Sequence, residues 1–268
     1  MRTGPRWQAN ANHGGALLDG GGAEQAEKAL VDECTTRVAN MRQTLLWPKG
    51  GRVSSRRKEA DALYSETLSM RAEVLKILQA GEPVLRQRAS ELSTKEIRSR
   101  AIQKLIENMR ETMYNAPGVG LAAPQIGRGL QLAVIEDKPE YIKDSPAEFI
   151  RERERQPVPF HVIINPKFTL LESANVEFFE GCLSLAGFTA VVPRARMVRV
   201  ECLNERGEPK VIEASGWYAR ILQHEIDHLQ GTIYIDRMQP RTFMGMELFN
   251  QYWKGKSMGE VVKQILQA

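Results

Sequence analysis

Three things are scarce in this chain of 268 residues: long apolar runs, cysteine and unbalanced charge. A helix that crosses a bilayer needs about 20 consecutive apolar residues. The sequence has no such run, so we expect neither a spanning segment nor a membrane partner. The 37 Lys and Arg residues barely exceed the 33 Asp and Glu residues. So small a surplus is typical of an ordinary solvated surface, and it predicts no specific nucleic-acid partner.

The three cysteines, Cys34, Cys182 and Cys202, are too few for a disulfide framework, and their number is odd. We therefore expect a reducing compartment, in which a cysteine is free to serve as a thiolate ligand. Cys202 alternates with Val198 and Val200 in a strand-like stretch, which predicts core packing. Cys34 lies in a stretch without a sustained apolar period. Cys182 is left as the cysteine with unusual neighbours.

The composition divides the chain into three parts. Residues 1–69 contain glycine clusters and no sustained apolar period, so we expect an N-terminal extension that is largely disordered, acts in targeting or reflects a misassigned start. Residues 70–240 have the apolar patterning of a folded domain. Residues 241–268 have apolar residues at helical intervals and predict a C-terminal helix, which either closes the core or contacts a partner.

Apolar spacing predicts one packing helix over 94–114, capped by Ser93 or Thr94. The charged segment 137–157 predicts a surface excursion with one helical turn. A further helix is predicted from Ser215, a good N-cap residue, to Gly231, which suits the position just beyond a helix end. Short apolar or alternating runs predict strands at 130–137, 160–166, 168–173, 195–204 and 209–215.

The sequence HEIDH at 224–228 lies in this last helix and predicts a metal site. His224 and His228 are four residues apart, so they share one helix face, and Glu225 between them is the usual general base. Such a site normally takes three protein ligands. In the metzincin pattern the third is a histidine at the position of Tyr234, three residues after Gly231. Tyrosine is not a plausible replacement, so the third ligand lies elsewhere.

Two other segments stand out. GVGLAAPQIG at 118–127 has the GxGxxA order of a dinucleotide-binding loop, but it follows a helix and leads into a strand, the reverse of what that loop requires. It is predicted to be a flexible turn, or backbone that approaches a bound chain. EGCLS at 180–184 places Gly181 before Cys182 on a strand-like stretch, which leaves room for a metal or ligand. Taken alone, EGCLS also suits a buried cysteine.

Together, GVGLAAPQIG, EGCLS and QHEIDHLQG resemble, in this order and at these separations, the three signature motifs of the peptide deformylase family. The resemblance covers roughly 70–240, which it implies is the catalytic domain. It implies an α+β fold in which small mixed or antiparallel β-sheets pack around a central metal-binding HExxH helix. It also implies an enzyme that removes the formyl group from the N-terminal formyl-methionine of new proteins. We therefore expect nascent N-formylmethionyl peptides as substrates and a transient ribosome contact.

The resemblance implies that Cys182, His224 and His228 bind the metal. The metal of the family is iron(II), for which zinc, nickel or cobalt can substitute, and this ligand set suits several divalent ions. Hydrolysis of a formamide near neutral pH needs a hydroxide made on such a metal. Glu225 is the expected acceptor of the proton from the water.

The resemblance assigns stabilisation of the oxyanion to the backbone N–H of Leu183 and the side-chain amide of Gln125. The peptide is expected to pair with the glycine loop as an added strand. The predicted substrate-binding residues are motif positions and two helix residues that precede the first histidine: Gly118, Val119, Gly120, Gly181, Trp217 and Ile221. The two helix residues are candidates for the wall of a methionine pocket, and they equally suit ordinary core packing.

Three further positions concern the surroundings of the ligands. Glu180 and Asp227 are expected to hold the ligands in place. The chain departs from the common bacterial pattern after EGCLS, because Thr189 stands where many bacterial members have arginine. The departure leaves open how the peptide is contacted beyond its methionine.

Two other functions fit parts of the pattern. A general metallopeptidase would use HExxH with Glu247, 19 residues beyond His228, as its third ligand, and would cleave unformylated peptides. A non-catalytic peptide-binding relative would have lost a ligand or the base, and none is lost. We predict the bacterial cytoplasm as the compartment, or the mitochondrion or plastid if residues 1–69 are a transit peptide.

Overall fold

The computed structural model describes residues 72–143, 145–172 and 174–266. The predicted N-terminal extension, 1–69, lies outside the described residues. The helices are α1 (Thr94–Ile97), α2 (Arg100–Asn115), α3 (Pro139–Ile142), α4 (Ala147–Glu152), α5 (Gly216–Leu229), α6 (Met246–Tyr252) and α7 (Met258–Val261), with a π-helical turn at Val262–Leu266. Short 3-10 turns lie at Pro83–Arg86, Ala123–Ile126, Tyr234–Asp236 and Pro240–Thr242. None of the described helices has the length and apolar character that crossing a membrane requires.

The strands form two antiparallel sheets. They are β1 (Gly120–Ala122), β2 (Leu132–Asp137), β3 (Val158–Leu170), β4 (Asn175–Glu180), β5 (Phe188–Ala195), β6 (Met197–Leu203), β7 (Pro209–Ser215) and β8 (Met244–Gly245). The larger sheet has the order β1-β2-β3-β6-β7, and the smaller has the order β4-β5-β8. The predicted α+β class is confirmed.

Strand β2 of the larger sheet is buried on both faces, because each face packs against a helix. In β2, Ala133 and Ile135 belong to the apolar core that contains α5, whereas Leu132 and Val134 belong to the core that contains α2. Side chains alternate between faces along a strand. A strand covered on both sides therefore has a continuous apolar run, as LAVI at 132–135 does. The sheet thus supports α5 along one whole face.

The predicted helix over 94–114 is two helices, α1 and α2. Ser93 forms a capping box with Glu96 at the start of α1. Ser99 accepts a hydrogen bond from the N–H of Ile102 and so starts α2 independently. The apolar spacing predicted one helix, but the second serine cap starts a new helix within that stretch.

β3 is one strand where the sequence predicts two. Its pairing with β6 shifts between Ile164 and Lys167, where Asn165 has a φ of 50°. The Asn165 side chain accepts the N–H of Leu92 at 2.9 Å and donates to its C=O at 2.8 Å. These two hydrogen bonds hold the bulge in place, so the strand continues past it to Leu170.

The sequence did not predict β5, and it predicted EGCLS as strand-like, although only Glu180 lies in β4. Pro193 obscures β5, because proline lacks the N–H that a central strand needs. In the structure, β8 pairs only with Phe188 and Thr189, so β5 is an edge strand at Pro193. Residues 181–184 lead from β4 into a turn, and Cys182 there packs against the apolar cluster that contains Ala190 and Val192 of β5.

The segment 241–268, predicted as one helix, contains β8, α6, α7 and the π-helical turn. The helical path restarts at Ser257, which forms a capping box with Glu260. Met258 and Val261 are buried against the smaller sheet. These contacts favour the first of the two predicted roles, closure of the protein's own core.

Removal of 241–268 is expected to destabilise the protein, because Val261 is 0% and Met258 is 9% exposed. Burial of one such side chain contributes roughly 1.5–3 kcal/mol. Both the truncation and Val261→Ala should lower the midpoint of thermal unfolding, measured by circular dichroism. Lys263→Ala, at an exposed position, is the control and should leave the midpoint unchanged. A truncated chain that melts with the full chain would contradict this role.

Candidate metal centre and cavity

Helix α5 carries the HExxH sequence in its C-terminal half. Ser215 occupies the N-cap position as predicted, although its side chain makes no capping hydrogen bond, and Gly231 follows the helix end with a φ of 76°. A Cβ at Gly231 would lie 2.8 Å from the carbonyl carbon of Arg86. Glycine is therefore needed both for the left-handed conformation and for the close packing of the helix end.

Three potential ligand atoms converge beside this helix. Cys182 approaches His224 and His228 from the turn after β4, so that one ligand atom of each lies within 4.8 Å of the others. The Cys182 Sγ is 3.2 Å from His228 Nε2. Among the described residues, no other group of His, Cys, Asp or Glu has this arrangement. The rival ligand Glu247 lies outside the group and is exposed in α6.

The carboxylate of Glu180 holds the first histidine. Its Oε2 accepts a hydrogen bond from His224 Nδ1 at 3.1 Å, which leaves Nε2 for a metal. The same carboxylate accepts two N–H groups of Arg194, each at 3.0 Å, and one of Arg220 at 2.6 Å. Burial alone would raise the pKa of Glu180. The charge of Arg194 and the hydrogen bonds of His224 and Arg194 outweigh burial and hold that pKa well below its usual range.

A second carboxylate extends this network to the surface. Asp227 accepts hydrogen bonds from the buried Arg194 and, through both of its oxygens, from Arg237 at 2.7 and 2.8 Å. The Arg237 side chain is half exposed. Glu180 and Asp227, both predicted to support the ligands, therefore share Arg194. Since buried charges are tolerated only when they are paired, the three residues depend on one another.

Glu225 is 3% exposed. Its Oε2 has no hydrogen-bond partner among the described residues. Burial raises the pKa of Glu225 to about 7, although the charges of His224 and Arg194 oppose the shift. Gly120 leaves space for this side chain, because a Cβ there would lie 2.2 Å from Glu225 Oε1. The glycine loop and the Glu225 side chain therefore occupy adjoining space that only glycine permits at position 120.

Two N–H groups approach the sulfur of Cys182. Gln125 Nε2 lies 3.5 Å and the Ser184 N–H lies 3.4 Å from Sγ. Gln125 is held in place because its Oε1 accepts the N–H of Ala122 at 2.8 Å. The Leu183 N–H makes no hydrogen bond to any described residue. Both predicted oxyanion donors are thus close to the cysteine.

These groups surround a cavity of about 690 Å³. The cavity brings together most of the residues that the sequence singled out: Gly118, Val119, Gly120, Gln125, Gly181, Cys182, Leu183, Ile221, His224 and Glu225. His228 is 1% exposed and is not part of the lining. The predicted site residues are therefore neighbours in space, although they come from three distant parts of the chain.

Trp217 and Thr189 do not line the cavity. Trp217 packs against two apolar clusters, and the guanidinium carbon of Arg155 lies 5.3 Å from its ring centre. Core packing, the alternative considered from the sequence, accounts for Trp217. Thr189 is buried and donates to the carbonyl of Glu180 at 2.7 Å, so it supports the end of β4.

The sequence analysis did not predict the two arginines that bind the Glu180 carboxylate. Arg194 lies on β5, the strand that the sequence did not predict, so nothing placed it near the helix. Arg220 precedes His224 by four residues and therefore shares its helix face, which was the available signal. Its guanidinium also donates to the carbonyl groups of Val192 and Val176, at 2.8 and 2.6 Å. Arg220 thus ties α5 to both β4 and β5.

The residues fit a divalent metal ion. Two imidazole nitrogens and a thiolate suit several such ions. Burial alone would lower the pKa of His224, but its interactions with Cys182 and Glu180 raise that pKa well above its ordinary value. Cys182 and Glu180 therefore favour a positive charge on or beside His224, and a bound cation would supply one.

The fold and the site define an α+β protein with a Cys-His-His metal site and a buried glutamate beside a cavity. The family model of polypeptide deformylase matches residues 74–243. The chain belongs to the peptide deformylase family, as the resemblance of its motifs predicted.

Similar proteins occur in plants, bacteria and Homo sapiens. Peptide deformylase 1A, chloroplastic, of Solanum lycopersicum is 50% identical over 171 residues, which are 64% of this chain and 62% of that protein. Peptide deformylase 1 of Bifidobacterium longum is 45% identical over 180 residues, which are 67% of this chain and 80% of that protein. A crystal structure of the class I type b peptide deformylase of Acinetobacter baumannii, with Met-Ala-Ser bound, is 32% identical. It has a TM-score of 0.55 and covers 63% of this chain and 100% of that one. This chain therefore matches less than two thirds of the tomato protein.

Cys182→Ala is expected to abolish tight metal binding, because only two of the three protein ligands remain. The metal content after dialysis, measured by mass spectrometry, should fall from about one equivalent per chain to nearly none. Cys202→Ala is the matched control, since Cys202 is buried in β6 outside the ligand group, and it should keep its metal. Stoichiometric metal in Cys182→Ala would show that another residue completes the site.

Proposed function

We propose that this protein is an active peptide deformylase, which hydrolyses the N-formyl group from the formyl-methionine of newly made proteins and releases formate. The observation that carries the proposal is the convergence of Cys182, His224 and His228 with Glu225 beside one cavity. Membership of the family supports the same reaction. The Acinetobacter relative, whose structure has Met-Ala-Ser bound, supports a substrate that begins with methionine.

The metal of this proposal is iron(II), held by Cys182, His224 and His228, with zinc, nickel or cobalt as substitutes. When bound, it supplies a Lewis acid that lowers the pKa of water toward about 7. The soft sulfur and the two nitrogens support a transition metal over calcium or magnesium, which prefer oxygen ligands.

Glu225 moves the proton in the proposed reaction. It takes a proton from the attacking water and returns it to the leaving amine. Its free Oε2 and its pKa of about 7 support this role, because a general base works best when its pKa lies near the working pH. Gly120 keeps the space around the carboxylate open.

Leu183 and Gln125 stabilise the negative charge that forms on the formyl oxygen. The Leu183 N–H is unpaired among the described residues, and the Gln125 amide is fixed by its bond to Ala122. Donors that are oriented before the reaction cost no reorganisation when charge develops, which makes such donors effective.

The glycine loop binds the peptide backbone. β1 lies at one end of the larger sheet. It pairs with β2 along one edge, and no described strand pairs with its other edge. An extended peptide on the other edge continues the sheet as an added strand. Gly118 is closely packed, since a Cβ there would lie 2.8 Å from Leu183 Cδ1. With Val119, Gly120 and Gly181 it contributes to the substrate side of the cavity, and Ile221 contributes an apolar wall for the methionine.

The proposed substrate also indicates where the protein acts. It acts in the bacterial cytoplasm, or in an organelle that starts translation with formyl-methionine. The named compartment of the tomato relative, the chloroplast, supports the second. A transient ribosome contact remains part of the proposal. It would use exposed charge such as Lys254 and Lys263, because the apolar side of that segment packs on the smaller sheet.

Formate release from formyl-Met-Ala-Ser, by enzyme purified anaerobically with iron, tests the proposed reaction. Glu225→Gln should keep its metal and its fold and lose at least about 100-fold in kcat, the usual cost of a lost general base. Glu247→Gln is the matched control, because this exposed glutamate lies outside the ligand group.

Two results would contradict the proposal. Near-native turnover by Glu225→Gln would remove the assigned base. Cleavage of Met-Ala-Ser without a formyl group, in place of formate release, would instead identify a general metallopeptidase.

A further inference from the structure

The segment that precedes the first 3-10 turn connects the two loops that carry the proposed oxyanion donors. The Leu78 N–H donates to the carbonyl of Gln125 at 2.8 Å, and the Ala80 N–H donates to the carbonyl of Ser184 at 2.7 Å. Residues 77–80 therefore act as a strap between the glycine loop and the turn that contains Cys182. None of these residues belongs to the three motifs.

Gln79, between these two contacts, holds the cysteine turn with its side chain. Its Nε2 donates to the carbonyl of Leu183 at 3.0 Å, and its Oε1 accepts the N–H of Ala186 at 3.2 Å. One side chain thus joins two backbone groups of a turn that lies more than a hundred residues away in sequence. Gln79 is itself exposed and lines the cavity.

The turn held by Gln79 determines where the Leu183 N–H points. The Cys182 carbonyl accepts the N–H of Leu185 at 3.0 Å, which directs this carbonyl into the turn. In a trans peptide the C=O and the following N–H point in opposite directions. The Leu183 N–H, which shares the peptide plane of the Cys182 carbonyl, therefore points out of the turn and remains unpaired among the described residues.

We propose that Gln79 is a positioning residue of the reaction. It acts through Leu183: by binding the Leu183 carbonyl and the Ala186 N–H, it fixes the turn that aims the Leu183 N–H at the formyl oxygen. The proposal rests on the proposed function, because the aim of this N–H matters only if negative charge develops there. Gln79 lies outside the three motifs, yet in this proposal it helps to stabilise the transition state.

Kinetics of Gln79→Ala and Gln79→Glu on formyl-Met-Ala-Ser test this role. Removal of a whole oxyanion donor costs about 100-fold to 1,000-fold in kcat. A donor that is present but poorly held should cost less, so we expect about a tenfold loss of kcat with KM within about twofold. Gln79→Glu keeps the acceptor for Ala186 and loses the donor to Leu183, so it should lose kcat as well. Lys76→Ala, exposed on the same segment, is the matched control and should behave as the wild type.

Hydrogen–deuterium exchange of the peptide 181–187 gives a readout that does not depend on activity. Exchange in this turn should be faster in Gln79→Ala than in the wild type, with the melting temperature of the whole protein unchanged, because an exposed side chain contributes little to global stability. Gln79→Glu should retain more protection than Gln79→Ala, since the Ala186 contact survives.

The outcomes separate the two proposals. Unchanged kcat in both variants, a rise in KM alone, or unchanged exchange in the turn would overturn the role of Gln79. Absence of formate release by both the wild type and Lys76→Ala would instead overturn the proposed function, and the exchange experiment would still decide whether Gln79 fixes the turn.

Discussion

The carboxylate of Glu180 is the interaction on which the rest of the site depends. It is 6% exposed and accepts hydrogen bonds from two arginines and one histidine. A buried charge costs several kcal/mol unless it is paired and its lone pairs are satisfied. Here the partners come from β5 and α5, while Glu180 ends β4. The cost of burying the charge can be offset only when these three elements are in their native places, so the carboxylate couples the smaller sheet to α5, the helix of the HExxH sequence.

The same coupling positions the chemistry. Glu180 is two residues before Cys182, so fixing the end of β4 also fixes where the turn with Cys182 begins. Its bond to His224 Nδ1 orients that ring, and Arg194 connects it to Asp227, one residue before His228. His224, a proposed metal ligand, is part of this hydrogen-bonded network. The other two proposed ligands, Cys182 and His228, lie within two residues of Glu180 and Asp227, which belong to it. The ligands do not depend on the metal alone for their placement.

The sequence predicted the parts of the site that local spacing determines, and it did not predict those that depend on contacts across the sheets. The four-residue spacing of His224 and His228 requires a shared helix face, and the resemblance to the family supplied Cys182. The position of Arg194 near the helix could not be predicted, because Pro193 prevented the prediction of β5, the strand on which Arg194 lies. The role of Gln79 could not be predicted for another reason. An exposed glutamine leaves no signal in the apolar pattern of the sequence, and its two backbone partners are known only from the folded turn after β4. Trp217 shares the helix face of the histidines, but it packs against two apolar clusters and does not line the cavity. A helix face shows which residues point in one direction and cannot show where the cavity ends.

The metal affinity of Glu180→Gln tests most directly whether this one carboxylate organises the site. The substitution keeps the shape of the side chain and removes the charge that pairs with Arg194 and Arg220. Glu213→Gln, at an exposed position of β7, is the control. If the carboxylate organises the ligands, the dissociation constant for the metal, measured by competition with a chelator, should rise about 10-fold to 100-fold in Glu180→Gln only. An affinity equal to that of the wild type would show that the ligands are placed without Glu180 and would contradict the account.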